Sequence, residues 1–290
     1  MKRIVAFLSL FAVCLSLSMS TVPSARAEEK QVMTMIVMDP LSAPLSCDCV
    51  KGYAQRDYEK LAKYLEQQLN ISVQVHFAES LAAALERKSQ GKADLIIGKH
   101  SVIAHQGPLS KLSLKPIASL TGKDGSTTQT GLIVVPNKDA ALTVADLKGY
   151  RILFGSTDCD EKYQAALYLL KDNEVAVPPK EKHETCAACS DGATAILDMH
   201  KNGVKAAAVI SSYAKPLLEG CGTIKKGDLR VVGETEPVAF ITAFINEKLP
   251  TAEQHRVQEA LLKVSGDTAL LAALETKAGF VAYQVPSKKK

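Results

Sequence analysis

Apolar and amphipathic segments alternate along the first part of the chain. Short apolar runs at residues 32–39, 73–77 and 93–98 are typical of buried strands. Residues 54–69 repeat apolar side chains at helical spacing, and a second helix is expected from Ser80. The alternation of strand and helix predicts an α/β fold with a mostly parallel sheet covered by helices on both faces.

A second strand-to-helix corner lies near the middle of the chain. Residues 151–154 predict a short buried strand, Gly155 ends it, residues 156–159 form a turn, and a helical pattern follows. In a parallel sheet this corner is at the carboxyl end of a strand, where ligands bind. Because the first amides of a helix have no partner within it, Ser156 and Thr157 could bind an anion there. An ordinary helix N-cap explains the same residues equally simply.

The remaining pattern predicts a second α/β unit. Strands are expected in it at 206–210 and 229–232, and a helix at 189–202. A strand at 115–120 belongs to the first unit, and two helices at 251–265 and 268–277 follow near the end of the chain. Extended crossings at 127–135 and 237–245 join the two units. This outline predicts a hinged protein that closes over a ligand, with residues 28–129 and 237–290 in one lobe and 130–236 in the other. The periodicity alone also allows a flavodoxin-like pair of domains or a hydrolase.

The first 27 residues have the pattern of a secretory signal peptide. Lys2 and Arg3 precede an apolar run over residues 4–17, and an Ala-Arg-Ala cleavage signal follows at 25–27. The apolar run is too short to be a permanent membrane span. We therefore expect a protein that is exported to a bacterial periplasm, begins near Glu28 and is not embedded in the membrane.

Composition narrows the function. Lys2, Arg3 and Arg26 lie in the predicted signal peptide, which contains no acid, so the formal net charge falls from +4 to about +1 on cleavage. That balance excludes a strongly basic nucleic-acid binder. No H-E-x-x-H or G-x-S-x-G motif occurs, so the sequence shows no hydrolase site.

Four fragments, in order, resemble the periplasmic binding proteins of the phosphate, phosphite and phosphonate (PhnD-like) ABC transporter family. They are residues 58–65 (YEKLAKYL), 91–95 (GKADL), 145–155 (ADLKGYRILFG) and 202–209 (NGVKAAAV). The last has Lys205 where the family usually has Asp. The resemblance implies a type II periplasmic binding protein fold with two hinge crossings, and a small anionic or zwitterionic ligand. It also implies a membrane permease as partner, or a sensor kinase, and a binding protein that is not an enzyme and needs no cofactor.

The resemblance also implies which loops contact the ligand. Carried over position by position, the ligand-binding residues would be Tyr53, Tyr58, Lys99, His100, Ser101, Ser156, Thr157, Asp158, Ser190, Asp191 and Tyr213. The chain departs from the family where Asp158 and Asp160 replace part of a Ser/Thr-rich loop. Two carboxylates repel a phosphonate unless a cation pairs with them, and Lys99 and His100 could supply that charge.

Six cysteines remain after the predicted cleavage site. Disulfides among Cys159, Cys186, Cys189 and Cys221 are the first expectation in an oxidising compartment. Cys186-x-x-Cys189 would alternatively make the protein a periplasmic thiol redox protein.

The spacing of Cys47 and Cys49 is poor for a disulfide between them. With Cys159 they could bind a soft metal or metalloid, because such ions prefer sulfur. Part of the resembling family, the periplasmic arsenite sensors, uses cysteine in this way. A metalloid receptor for uptake or sensing is therefore the alternative function.

Overall fold

The computed structural model describes residues 31–46 and 55–285. The predicted signal peptide, Tyr53, Cys47, Cys49 and the lysine-rich C-terminus lie outside these ranges. Within them, the strands form a six-stranded sheet, a five-stranded sheet and a two-stranded ladder.

The six-stranded sheet carries the first lobe. Its strands are β1 (Val32–Met38), β2 (Ser72–Phe77), β3 (Leu95–Lys99), β4 (Leu114–Leu120), β12 (Ile241–Asn246) and β13 (Phe280–Ala282). Their spatial order is β13-β4-β12-β3-β1-β2. β1 runs parallel to β2 and β3, and the other pairs are antiparallel. The helices of this lobe are α1 (Tyr58–Leu69), α2 (Leu81–Arg87), α3 (His100–Leu109), α7 (Thr251–Leu262) and α8 (Thr268–Ala273).

Side chains of β1 alternate between two apolar cores. Met35 and Val37 pack in a core with residues of α1, α7 and α8, whereas Ile36 and Met38 pack in a core with residues of α2 and α3. This alternation follows from the two-residue repeat of a strand, and it buries both faces of the sheet. The predicted apolar face of α1 lies in the first of these cores.

The five-stranded sheet carries the second lobe. Its strands, in spatial order, are β10 (Leu229–Glu234), β6 (Gly131–Pro136), β9 (Ala206–Ser211), β7 (Arg151–Phe154) and β8 (Glu184–Thr185). β7 is parallel to β8 and β9, whereas β6 is antiparallel to β9 and β10. The helices are α4 (Gln164–Asp172), α5 (Cys189–Lys201) and α6 (Ala214–Gly220).

Two short strands cross between the sheets. β5 (Thr128–Gln129) pairs antiparallel with β11 (Val238–Ala239), and the predicted lobe boundaries fall beside this ladder. The predicted two-lobe α/β fold with two crossings is confirmed. Both sheets are mixed, because β6 and β12 begin at the hinge, where the parallel strands β9 and β3 end. The carboxyl ends of the parallel strands therefore face the space between the lobes.

The second lobe also contains two elements that differ from the sequence expectation. β8 has two residues only, after Pro178 and Pro179. The helix α6 is short and has Pro216 in its first turn, where proline is tolerated, so the apolar pattern did not reveal it. Across the described ranges no helix is long and apolar enough to cross a membrane.

Candidate functional site

The two lobes meet at a buried ion pair. Lys99 is the last residue of β3, and Glu161 lies in a 3-10 turn that follows β7. The Lys99 Nζ donates to Glu161 Oε1, which also accepts a hydrogen bond of 2.7 Å from the Ser211 hydroxyl. Lys99 is 6% exposed and Glu161 is fully buried. The contact therefore joins the two lobes in an environment with little screening by water.

The pKa values of both partners favour the ionised pair. Burial alone lowers the pKa of Lys99, but the neighbouring Glu161 carboxylate outweighs it and the pKa lies well above its ordinary value. Burial likewise raises the pKa of Glu161, and the charge and hydrogen bond of Lys99 reverse the shift so that the pKa is lowered. Both groups are therefore charged at neutral pH.

The segment between β7 and α4 also docks on α3 of the first lobe. Gln106 Nε2 donates to Asp158 Oδ2 at 2.8 Å, and the Asp160 amide donates to Ser101 Oγ at 3.1 Å. Cys159 is buried with Val102 in the first-lobe core. This second-lobe segment, residues 156–161, therefore binds the first lobe through polar, ionic and apolar contacts together.

A second buried polar cluster borders the ion pair. Asp39 follows β1, and its Oδ2 accepts hydrogen bonds from Arg56 Nη1 at 2.8 Å and from the Tyr58 hydroxyl at 2.6 Å. The Arg56 guanidinium lies over the ring of Phe240, which stacks on Tyr213 with centroids 5.2 Å apart. Burial raises the pKa of the Tyr213 phenol, which therefore stays neutral. The cluster thus extends from β1 through the hinge to the second lobe.

Among the buried polar atoms that have no hydrogen-bond partner within the described part of the chain are Nε of Arg56 and Oε2 of Glu161. A buried donor or acceptor without a partner costs free energy, and such atoms often mark a place that a ligand or water completes. Arg56 Nε–H needs an acceptor, and Glu161 Oε2 needs a donor.

The structure brings some of the predicted site residues to this interface. Lys99, Ser101, Asp158 and Tyr213 lie at it, and Tyr58 reaches it through Asp39. Ser156 lies beside them, since its hydroxyl donates to Asp158 Oδ1 at 2.5 Å.

Other predicted residues have different surroundings. His100 contacts Thr242, Phe244 and Tyr283 within the first lobe, and Thr157 is exposed. Asp191 is exposed at the start of α5 and accepts a hydrogen bond of 3.1 Å from the Ala188 amide, and Ser190 donates to it.

Sequence reasoning missed Asp39, Arg56, Glu161, Ser211 and Phe240. Asp39 directly follows the buried strand β1 and Ser211 is the last residue of β9, and those positions were the available signal. Glu161 follows the acidic turn at Asp158 and Asp160, but its burial could not be anticipated from a pattern of charges.

The four described cysteines are free thiols, so the expected disulfides among Cys159, Cys186, Cys189 and Cys221 are not formed. Cys159 Sγ lies 3.4 Å from Lys99 Nζ, and Cys189 Sγ accepts a 3.4 Å hydrogen bond from the Ser211 amide. No group of three metal-binding side chains occurs among the described residues. The proposed cysteine site for a metalloid depends on Cys47 and Cys49, which lie outside those residues.

Comparison with known proteins identifies relatives of this architecture. The profile of a family described as "ABC transporter, phosphonate, periplasmic substrate-binding protein" matches residues 52–287. No curated protein matches the chain significantly.

Solved structures share the fold. A binding protein component of an ABC phosphonate transporter from Pseudomonas aeruginosa superimposes with a TM-score of 0.65 at 15% identity, covering 88% of this chain and 82% of that chain. A Xanthomonas citri protein bound to ATP superimposes with a TM-score of 0.63 at 14% identity, covering 87% of this chain and 90% of that chain. PhnD1 of Prochlorococcus marinus in complex with methylphosphonate superimposes with a TM-score of 0.61 at 14% identity, covering 88% of this chain and 93% of that chain.

Proposed function

Because the chain belongs to the family of periplasmic substrate-binding proteins of phosphonate ABC transporters, we propose that it binds a small phosphonate-, phosphite- or phosphate-like anion between its lobes. Proteins of this family bind a solute for a transporter and are not enzymes. The expected compartment is the periplasm, and the expected partner is the membrane permease of the transporter. The signal peptide at residues 1–27 remains a prediction.

The observation that carries the proposal is the pair of buried cations on the first-lobe side of the interface. Lys99 and Arg56 are 6% and 4% exposed, and Arg56 retains a free Nε donor. Buried ammonium and guanidinium groups make short, charge-assisted hydrogen bonds to oxyanions. When the lobes separate, Lys99 would leave Glu161 and become available to an anion.

The second lobe offers neutral donors opposite these cations. Ser156, Thr157 and Ser211 carry hydroxyls near the carboxyl ends of β7 and β9. Closure around an anion would bring these donors and the first-lobe cations onto the same group of oxygens. Tyr58, Ser101 and Tyr213 complete the proposed lining. Contacts from Tyr53, which lies outside the described residues, and from His100, Asp158, Ser190 and Asp191 stay predictions.

Isothermal titration of the exported protein with methylphosphonate, phosphite and phosphate tests the proposal. At least one anion should bind, and a concentration a hundred times Kd should stabilise the fold by about 2.7 kcal/mol. Lys99→Gln should abolish binding, because it removes the proposed main charge. Lys215→Gln is the matched control, since Lys215 pairs with Glu219 on α6 of the second lobe.

Two results would contradict the proposal. One is that none of the three anions binds at millimolar concentration. The other is that Lys99→Gln binds with the dissociation constant of the wild type. Because Lys99→Gln also leaves Glu161 unpaired, the comparison uses dissociation constants and not melting temperatures.

A further inference from the structure

Glu161 already occupies the position from which an anion would contact Lys99. Its Oε1 accepts from the Lys99 ammonium and from the Ser211 hydroxyl, which are the two kinds of donor that an oxyanion requires. We infer that the Glu161 carboxylate competes with the ligand for Lys99, an inference that rests on the proposed function. In the unliganded protein Glu161 would act as a latch that holds the lobes closed, and an anion would displace it on binding.

The contacts of the latch are complete without a ligand. Lys99 and Glu161 come from different lobes, and Gln106–Asp158 and Ser101–Asp160 link the same two segments of chain. Cys159 lies between these polar contacts and packs in the first-lobe core. The segment 156–161 therefore links the lobes through ionic, polar and apolar contacts that need no ligand.

The second lobe is built to hold Glu161 in this position. Gly131 starts β6 next to the hinge, and a Cβ atom at this residue would lie 1.9 Å from the Glu161 carbonyl oxygen. Glycine at this position therefore allows the Glu161 backbone to pack directly against the strand. Ser211, at the end of β9 and paired with Gly131 in the sheet, donates a hydrogen bond to the carboxylate.

The charges explain why this contact would act as a competitor. A buried ion pair has a large desolvation cost, so its net contribution to stability is small, but removal of one partner leaves a costly unpaired charge. A ligand anion can replace Glu161 beside Lys99 without leaving that charge unpaired. If the latched form exceeds the open form about tenfold, the apparent affinity for the anion falls by about the same factor.

The test compares wild type with Glu161→Gln by small-angle X-ray scattering and by titration with inorganic phosphate. Without phosphate, wild type should be compact and Glu161→Gln should have a larger radius of gyration. Glu161→Gln should also bind phosphate about tenfold more tightly. Glu184→Gln is the control, because Glu184 lies in the same lobe and forms an exposed ion pair with Arg151. This control should match wild type in both measurements.

A second variant distinguishes loss of the latch from a folding defect caused by an unpaired charge. Lys99→Met/Glu161→Gln removes both charges, so it leaves no unpaired charge, and it should be expanded but unable to bind phosphate. Equal radii of gyration for wild type and Glu161→Gln would overturn the latch. Equal or weaker phosphate binding by Glu161→Gln would overturn the competition. If Glu161→Gln expands while no protein binds any of the anions, the latch stands and the proposed function fails.

Discussion

The buried cluster of Asp39, Arg56 and Tyr58 leads to a prediction about stability. Asp39→Ala removes the carboxylate that accepts from Arg56 Nη1 and from the Tyr58 hydroxyl. Arg56 is 4% exposed, so its charge would be left without a partner in the interior. Breaking a buried ion pair from one side costs about 3–5 kcal/mol.

Tyr58→Phe is a milder change at the same place. It removes one hydrogen bond to a charged group, which costs about 1.5–3 kcal/mol, and leaves Asp39 paired with Arg56. For a chain of this size, 1 kcal/mol shifts Tm by about 2–4 °C. Asp39→Ala should therefore lower Tm by about 6–20 °C, and Tyr58→Phe should lower it less.

Thermal and urea unfolding followed by circular dichroism measure both effects. The matched control is Asp198→Ala, which removes an exposed pair with Lys201 on α5 and should change stability by about 0.5 kcal/mol or less. If Asp39→Ala unfolds at the urea concentration of Asp198→Ala, the cluster does not stabilise the interface between β1 and the hinge. The reasoning about its buried charges would then be refuted.

Two further predictions concern backbone packing and pH. Gly131→Ala should lower the free energy of unfolding by about 1–3 kcal/mol, because the new Cβ would overlap the Glu161 carbonyl oxygen. Gly266 has open space around it, so Gly266→Ala is the control and should not change stability in this way. Equal urea midpoints for the two variants would contradict the prediction. Burial lowers the pKa of His100 below its ordinary value, so the unfolded chain binds the proton more readily and stability should fall as pH decreases below about 6.5. His100→Gln should flatten this slope, and an unchanged urea midpoint profile between pH 7 and 5 would contradict the assignment.

Local sequence patterns determined the elements and their broad arrangement. The apolar run of β1 and the helical repeat of α1 need no distant partner to be recognised, because their periods are set by backbone geometry. The two crossings between α/β units likewise predicted the hinge. β8 and α6 escaped prediction because they are short, and tertiary contacts decide whether such segments are ordered.

The sequence also placed the candidate site at the ends of the parallel strands, and Lys99, Ser101 and Asp158 do lie together there. From the sequence we expected Lys99 to neutralise either a bound anion or the carboxylates of Asp158 and Asp160. The partner that the structure gives to Lys99 is Glu161, which is 62 residues away in the chain.

The tertiary structure alone decided which charges are buried and which of them meet. Lys99 meets Glu161 because the two lobes approach each other at the hinge, and Arg56 lies on Phe240 because the chain returns to the first lobe after the second crossing. Neither contact is visible in a local sequence pattern. The free energy of a charged side chain depends on its burial and on the distance to its counter-charge. Both quantities arise from contacts between segments remote in sequence, so the sequence could predict the strand ends at which a site is expected but not the electrostatic balance of the charges there.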